Sequence, residues 1–443
     1  MATGTATTEL RETTDLRERL LMPRRRFLAA AALAGLSVGG LSSCATDTND
    51  PDALSLWLWK NSSDPDILAK AASGIDGTNG VTLESNTIGG EFKSKLLTTL
   101  AGRSHVPDLT FINSDIASYF PNADQFVDLY SLGAKDQQAD FLEFKWNFGV
   151  TPDGRMIGFP MDTGPTVLFF RNDLLDKAGL PSDPDSVRDV TTTWEDFLAF
   201  GSELAKAVDG AAITPTIAAL YTQVMAQSPK QYLEVSGAPI YDQEHVQRAF
   251  EYAVRAHELG VSANAQTTTD QTALLGNGQQ VCQTHAVWWV VAGPEQLAPK
   301  TKGNWRVCPA PGGPGNFGGS FVGITKYCKN PEAAYKFITW LENEENEITN
   351  LAKMFLFPSR LDVLESDAIS KPYEFFGDQK ILEVFAESAK GVPTTYLSPY
   401  DALVSGPIID ELTNVEAAGK NPTDAWSDAM KQVKRELGRA GAL

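Results

Sequence analysis

The chain has 443 residues, 42% of them hydrophobic, and a formal net charge of −19. That length exceeds what one hydrophobic core supports, so roughly two domains are expected. The acidic balance excludes charge-driven binding to nucleic acid or anionic lipid head groups and argues against an anionic substrate.

Near the N-terminus, Pro23-Arg24-Arg25-Arg26-Phe27-Leu28 sets a basic cluster directly before an apolar run ending at Leu36, and Leu41-Ser42-Ser43-Cys44 follows. A charged start, a short apolar centre and small residues at the end read as an export signal. The run is too short and too rich in Ala and Gly for a permanent membrane span. The Arg pair before Phe-Leu resembles the twin-arginine pattern, and Leu-Ser-Ser-Cys resembles the bacterial lipobox, whose Cys is lipidated. Residues 1–43 are therefore expected to be an export signal. Cys44 is expected to anchor the protein to the outer face of the bacterial cell membrane, with 44–53 as a polar tether.

Along the rest of the chain, Leu54–Trp59 reads as a strand, and Asp64-Pro65 opens a helix because Pro is favoured at the first helical position. Val81–Ile88 is a second strand. Glu91–Arg103 is a helix with Phe92, Leu96, Leu97 and Leu100 on one face. Pro107–Ile112 is a third strand, ending in Asn113-Ser114-Asp115. Alternating strands and helices imply a parallel sheet, where ligands sit beyond the carboxyl ends of strands. Trp59, Lys60, Asn61, Asn113 and Asp115 fall at such ends. Further on, Thr166–Phe170 is a strand, Gly179 a helix stop, Thr193 a helix cap and His245–Leu259 an amphipathic helix. Val281–Val291 reads as a strand running into Trp288-Trp289. A Gly- and Pro-rich loop separates strands Trp305–Cys308 and Phe321–Thr325, and Asn330 caps a helix through Trp340. The C-terminal third is mostly helical.

Most catalytic motifs fail on context. Gly35-Leu36-Ser37-Val38-Gly39 matches a nucleophile elbow but lies in the export signal. Gly313-Pro314-Gly315-Asn316-Phe317-Gly318 matches a dinucleotide loop but leads into a strand rather than a helix. None of the four His residues sits in a metal-ligand pattern, so no metal or cofactor is expected. Of the cysteines beyond Cys44, Cys282 and Cys308 are the favoured disulfide pair, with three buried thiols as the alternative to any pairing. What remains is aromatic: Trp57, Trp59, Trp288, Trp289, Tyr396 and Tyr400 lie near strand ends or loops beside polar residues. Flat rings with convergent hydrogen-bonding groups suit the apolar faces and hydroxylated edges of sugars.

Several segments taken in order resemble a known family. They are Trp57-Leu58-Trp59, Pro107-Asp108, Gly158-Phe159-Pro160-Met161-Asp162, Phe169 to Leu175, Thr193-Trp194-Glu195-Asp196-Phe197, Lys329 to Ala334, and Phe357-Pro358-Ser359-Arg360. Together with the lipoprotein signal, this chain resembles the family 1 extracellular solute-binding proteins of ABC importers, similar to maltose-binding protein. The resemblance spans about residues 54–435. It implies an α/β, two-lobed periplasmic-binding-protein-like fold (type II) with a hinge crossed by several segments. Lobe one would be 54–161 with 285–344, and lobe two 162–284 with 345–443. The cleft would hold Trp59, Lys60, Asn61, Asn113, Asp115, Asp162, Trp288, Trp289, Gly319, Ser320, Arg360, Tyr396 and Tyr400. The helix expected over Ser405–Asn414 lacks the aromatic that stacks on sugar in maltose-binding protein, which leaves the ligand open. The implied activity is non-enzymatic: a monomeric, lipid-anchored receptor binds a sugar or oligosaccharide by lobe closure and hands it to an ABC permease. Alternatives are a same-fold receptor for a polyamine or glycerol phosphate, a secreted glycoside hydrolase, and a structural lipoprotein.

Overall fold

The computed structural model describes residues 52–443. The export signal, Cys44 and most of the tether lie outside these residues. Strands β1 (Ala53–Leu58), β2 (Thr82–Thr87) and β3 (Leu109–Ile112) form a parallel unit with β1 in the middle. Helices Pro65–Ala72 and Phe92–Gly102 make the crossovers. The first begins where the sequence signals it: the Asp64 carboxylate accepts from the Asp66 N–H, and Pro65 occupies the first turn.

Strand β4 (Phe159–Arg171) is much longer than the predicted Thr166–Phe170, and its length organises the molecule. The remaining strands are β5 (Cys282–Ala286), β6 (Trp305–Pro309), β7 (Asn316–Ile324) and β8 (Phe357–Pro358). The start of β4 pairs antiparallel with β7, which joins β3, so it completes the first sheet. The end of β4 lies between β5 and β6 and forms the second. The register shifts twice between these halves, from Pro160 to Thr163 and from Thr163 to Pro165, and β8 pairs at Asp162 and Thr163. Bulges bend and twist a strand, so the hinge lies at Asp162–Gly164 opposite Gly318–Gly319. Gly319 has φ +94°, and a Cβ there would stand 2.7 Å from the Asp162 carbonyl oxygen. Only glycine fits that approach.

Each half has its own core. Leu54, Leu56, Phe111, Phe159, Val322 and Phe337 pack in the first. In the second, β4 alternates at the strand period: Leu168 and Phe170 face Phe197, Tyr221, Phe250 and Leu412, while Val167 and Phe169 face Trp289, Trp305, Phe376 and Phe385.

Three expectations change. The strand predicted over Val281–Val291 stops at Ala286; a turn carries Trp288, and Trp289 begins a helical segment. The segment from 285 to 309, expected in lobe one, stays with the second sheet because β5 and β6 both pair with the end of β4. Cys282 and Cys308 are free thiols. They oppose Phe170 and Leu168 from opposite sides of β4. Two strand spacings separate them, roughly 9.6 Å, beyond the reach of a disulfide. Burial pushes the Cys308 thiol up to about 12 and the Cys282 thiol up as well.

Candidate ligand site

A cavity of about 330 Å³ lies between the two halves. The first half supplies Lys93, Ser114, Asp115, Ser118, Phe148 and Phe321. Asp115 and Ser118 follow β3 directly, at the carboxyl end that a parallel sheet offers to ligands. The hinge supplies Asn316, Phe317 and Gly318. The second half supplies Tyr221 and Met225 from helix Ile217–Ala226, Tyr232, and the segment Thr395–Asp401 leading into helix Asp401–Ala418.

The walls are largely apolar and aromatic, with a few polar atoms placed among them. Ser118 Oγ, Thr395 Oγ1 and Asp401 Oδ1 are buried and have no hydrogen-bond partner. Buried polar atoms are nearly always paired, so three orphans around one cavity set it apart. The other Asp401 oxygen accepts from the Ser398 N–H at 2.8 Å. Burial pushes this carboxyl up to about 7, opposed only by that hydrogen bond. The Tyr221 and Tyr232 hydroxyls bond each other at 3.0 Å. Lys93 and Asp115 pair at 2.6 Å across a half-exposed wall. Asn316 stitches the hinge: its Oδ1 accepts from Thr163 Oγ1 and the Gly164 N–H, and its Nδ2 donates to the Gly318 carbonyl.

Behind the hinge lies a second polar cluster. The Lys145 ammonium is fully buried, has no hydrogen-bond partner and sits 3.5 Å from the centre of the Phe321 ring. Burial lowers its pKa to about 7, against the pull of Asp162, Glu342 and Glu347. Burial raises all three of those carboxyls. Ser320 hydrogen-bonds Asp162 in this cluster.

The sequence-predicted site residues scatter around this geometry. Asp115 lines the cavity. Tyr396 and Tyr400, both half-buried, flank the Thr395–Asp401 wall without lining it. Trp288 is 37% exposed beside the cavity and donates from its indole to the Phe317 carbonyl. Its neighbour Trp289 is buried, edge-on to Phe169 and Trp305. Trp59 packs edge-on against Phe92 and Phe111. Lys60, Asn61 and Asn113 are exposed outside the cavity. Asp162, Gly319 and Ser320 belong to the hinge cluster. Arg360 grips Asp362 with two hydrogen bonds and lies over the Phe141 ring, away from the cavity. Ser118, Thr395 and Asp401 were not anticipated. One signal was available: Ser398-Pro399-Tyr400-Asp401 matches the S-x-x-D pattern of a helix start.

A family model described as bacterial extracellular solute-binding protein matches residues 70–377. The chain belongs to that family. Membership places it outside the cytoplasm, among proteins that bind solutes for ABC transporters. A lactose-binding protein of Rhizobium radiobacter is 23% identical over 90% of this chain and all of the relative. An arabinooligosaccharide-binding protein of Halalkalibacterium halodurans is 22% identical over 78% of this chain and 80% of its own length. A crystal structure of a family 1 extracellular solute-binding protein superposes with a TM-score of 0.81, at 24% identity, covering 87% of this chain and 99% of that one. These likenesses agree with the two-lobed fold.

Proposed function

We propose that the protein is a carbohydrate receptor that captures a small neutral saccharide between its lobes and delivers it to an ABC permease. The observation that carries this reading is the cavity itself. Aromatic walls surround three unpartnered oxygens drawn from both halves: Ser118 from the first, Thr395 and Asp401 from the second. Sugar hydroxyls both donate and accept, so they suit two hydroxyls and a carboxylate. Phe148 and Phe317, both half-buried, offer surface to the apolar ring faces, and Trp288 beside Phe317 extends that surface. Asp115 takes a further hydroxyl when the ligand loosens its exposed pair with Lys93, which contributes little to stability.

Because the polar groups come from both lobes, only the closed form satisfies all of them. The ligand therefore shifts the open–closed equilibrium by its difference in affinity for the two states. The bends at Asp162–Gly164 and Gly318–Gly319 are the pivot. Lipid on Cys44 holds the receptor at the membrane beside its permease. The lactose- and arabinooligosaccharide-binding relatives favour a di- or oligosaccharide.

The test is thermal unfolding of the purified protein against a panel of mono- and disaccharides, including lactose. At a hundred times its Kd, a ligand adds about 2.7 kcal/mol and visibly raises the midpoint. A rise with one saccharide class, with the sugar recovered intact, supports the receptor. No rise with any sugar overturns it, and a cleaved sugar points to a hydrolase.

A further inference from the structure

We propose that Asp401 makes saccharide capture proton-linked: a ligand hydroxyl completes its carboxylate, so binding releases a proton and weakens in acid. This inference rests on the saccharide reading of the cavity.

The surroundings of Asp401 are built for a carboxylate with one donor missing. The Ser398 N–H already donates to one oxygen at 2.8 Å. Asp401 opens an 18-residue helix, whose free N–H groups favour negative charge in the first turn. The other oxygen is buried without a partner. No cation supplies the missing interaction. Tyr221 and Tyr232 face it from the second lobe, and Ser398, Tyr396 and Tyr400 from its own segment. Ser118 and the Lys93–Asp115 pair lie on the first-lobe wall. Lys93 is the one basic side chain among the described cavity-lining residues, and it is already paired with Asp115.

Without a second donor, burial outweighs the Ser398 bond and holds the carboxyl at about 7. Near neutral pH the empty protein is then close to half protonated. A hydroxyl donating to the free oxygen stabilises only the charged form and pulls the pKa down. The proton leaves Asp401 for solvent, and no bond of the sugar forms or breaks. The sign follows: affinity is greatest above pH 7 and falls as pH drops. If the bound carboxyl returns to about its ordinary 3.9, Kd rises about thirtyfold between pH 8 and pH 5.5.

Isothermal titration with lactose as the probe, at pH 7 in buffers of different ionisation heat, reads the proton directly. We expect release of about half a proton, a Kd that rises in acid, and loss of both effects in Asp401→Asn. Thr395→Val should weaken lactose binding yet keep the release, which separates Asp401 from general damage to the site and stands alone if Asp401→Asn misfolds. Buffer-independent heat, proton uptake, or release that survives Asp401→Asn would overturn the inference. Survival would move the proton to the Lys145 cluster, which titrates in the same range. If neither lactose nor any other neutral sugar binds, the saccharide reading fails first and the inference falls with it.

Discussion

Ser118, Thr395 and Asp401 leave oxygens without partners at the cavity wall, while Lys145 and Glu347 leave a nitrogen and an oxygen without partners behind the hinge. Phe321 borders both places: the residue lies at the cavity wall, and its buried ring lies under the Lys145 ammonium. The cavity measures about 330 Å³, whereas the void beside Asp162, Glu342 and Glu347 measures about 10 Å³. The second has room for little more than one water. The same kind of unpaired atom thus means different things. Buried in the wall beside an open volume, it is what we propose a ligand satisfies. Sealed against a hinge, it is a standing cost borne by the fold.

If that distinction is right, substitutions on the two sides should separate stability from affinity. The largest loss belongs to the hinge. Lys145→Ala removes a fully buried side chain and leaves its stem's volume empty behind the hinge, so unfolding stability should drop by about 3 kcal/mol or more in a urea titration. Lys145→Met keeps the stem and deletes the unpaired ammonium, and should cost far less; equal losses would make the charge itself the stabiliser. Next comes Gly319→Ala. Its positive φ and the 2.7 Å approach to the Asp162 carbonyl should cost about 2 kcal/mol and weaken ligand binding through a displaced hinge. An unchanged urea midpoint would place the pivot elsewhere.

The cavity side should behave otherwise. Asp401 has a folded pKa raised above its unfolded value, so the stability tied to its protonated form is present in acid and lost as pH rises through about 7. Asp401→Asn should therefore be more stable than the parent at pH 8, by on the order of 4 kcal/mol. That advantage should disappear by pH 4, and paired thermal melts at the two pH values would check it. The smallest stability effect is expected for Thr395→Val, within about 0.5 kcal/mol, with ligand affinity down about fivefold from one lost hydrogen bond. A large drop in its melting midpoint would show that Thr395 serves the fold rather than the ligand.

The sequence carried the fold further than the site because the two are written at different ranges. Strand periodicity around Leu54–Leu58, the Asp64-Pro65 start and the Thr193 cap with Asp196 are local signals, and each marks a real element. The switch of β4 from one sheet to the other is not local: it depends on β5, β6 and β7 meeting one strand from more than a hundred residues away. Hence the strands of the segment from 285 to 309 pair with the second sheet, which no local signal announces. Aromatic residues were weighed as sugar platforms, but Trp59 and Trp289 spend their surface on neighbouring rings. In sequence Asp162 reads as a hydroxyl acceptor, and β4 turns it toward Lys145 and Ser320. Ser118, Thr395 and Asp401 are ordinary polar residues in sequence. Their significance comes from burial without a partner, which only the assembled cavity reveals.

The most direct measurement is calorimetric titration of the saccharide found in the panel into the parent protein and into the triple variant Ser118→Ala, Thr395→Val, Asp401→Asn at pH 8. The variant should lose at least a hundredfold in affinity, with its unfolding midpoint at or above that of the parent. Unchanged affinity in a folded triple variant would contradict it, because the unpartnered oxygens of the cavity would then have no part in holding the ligand.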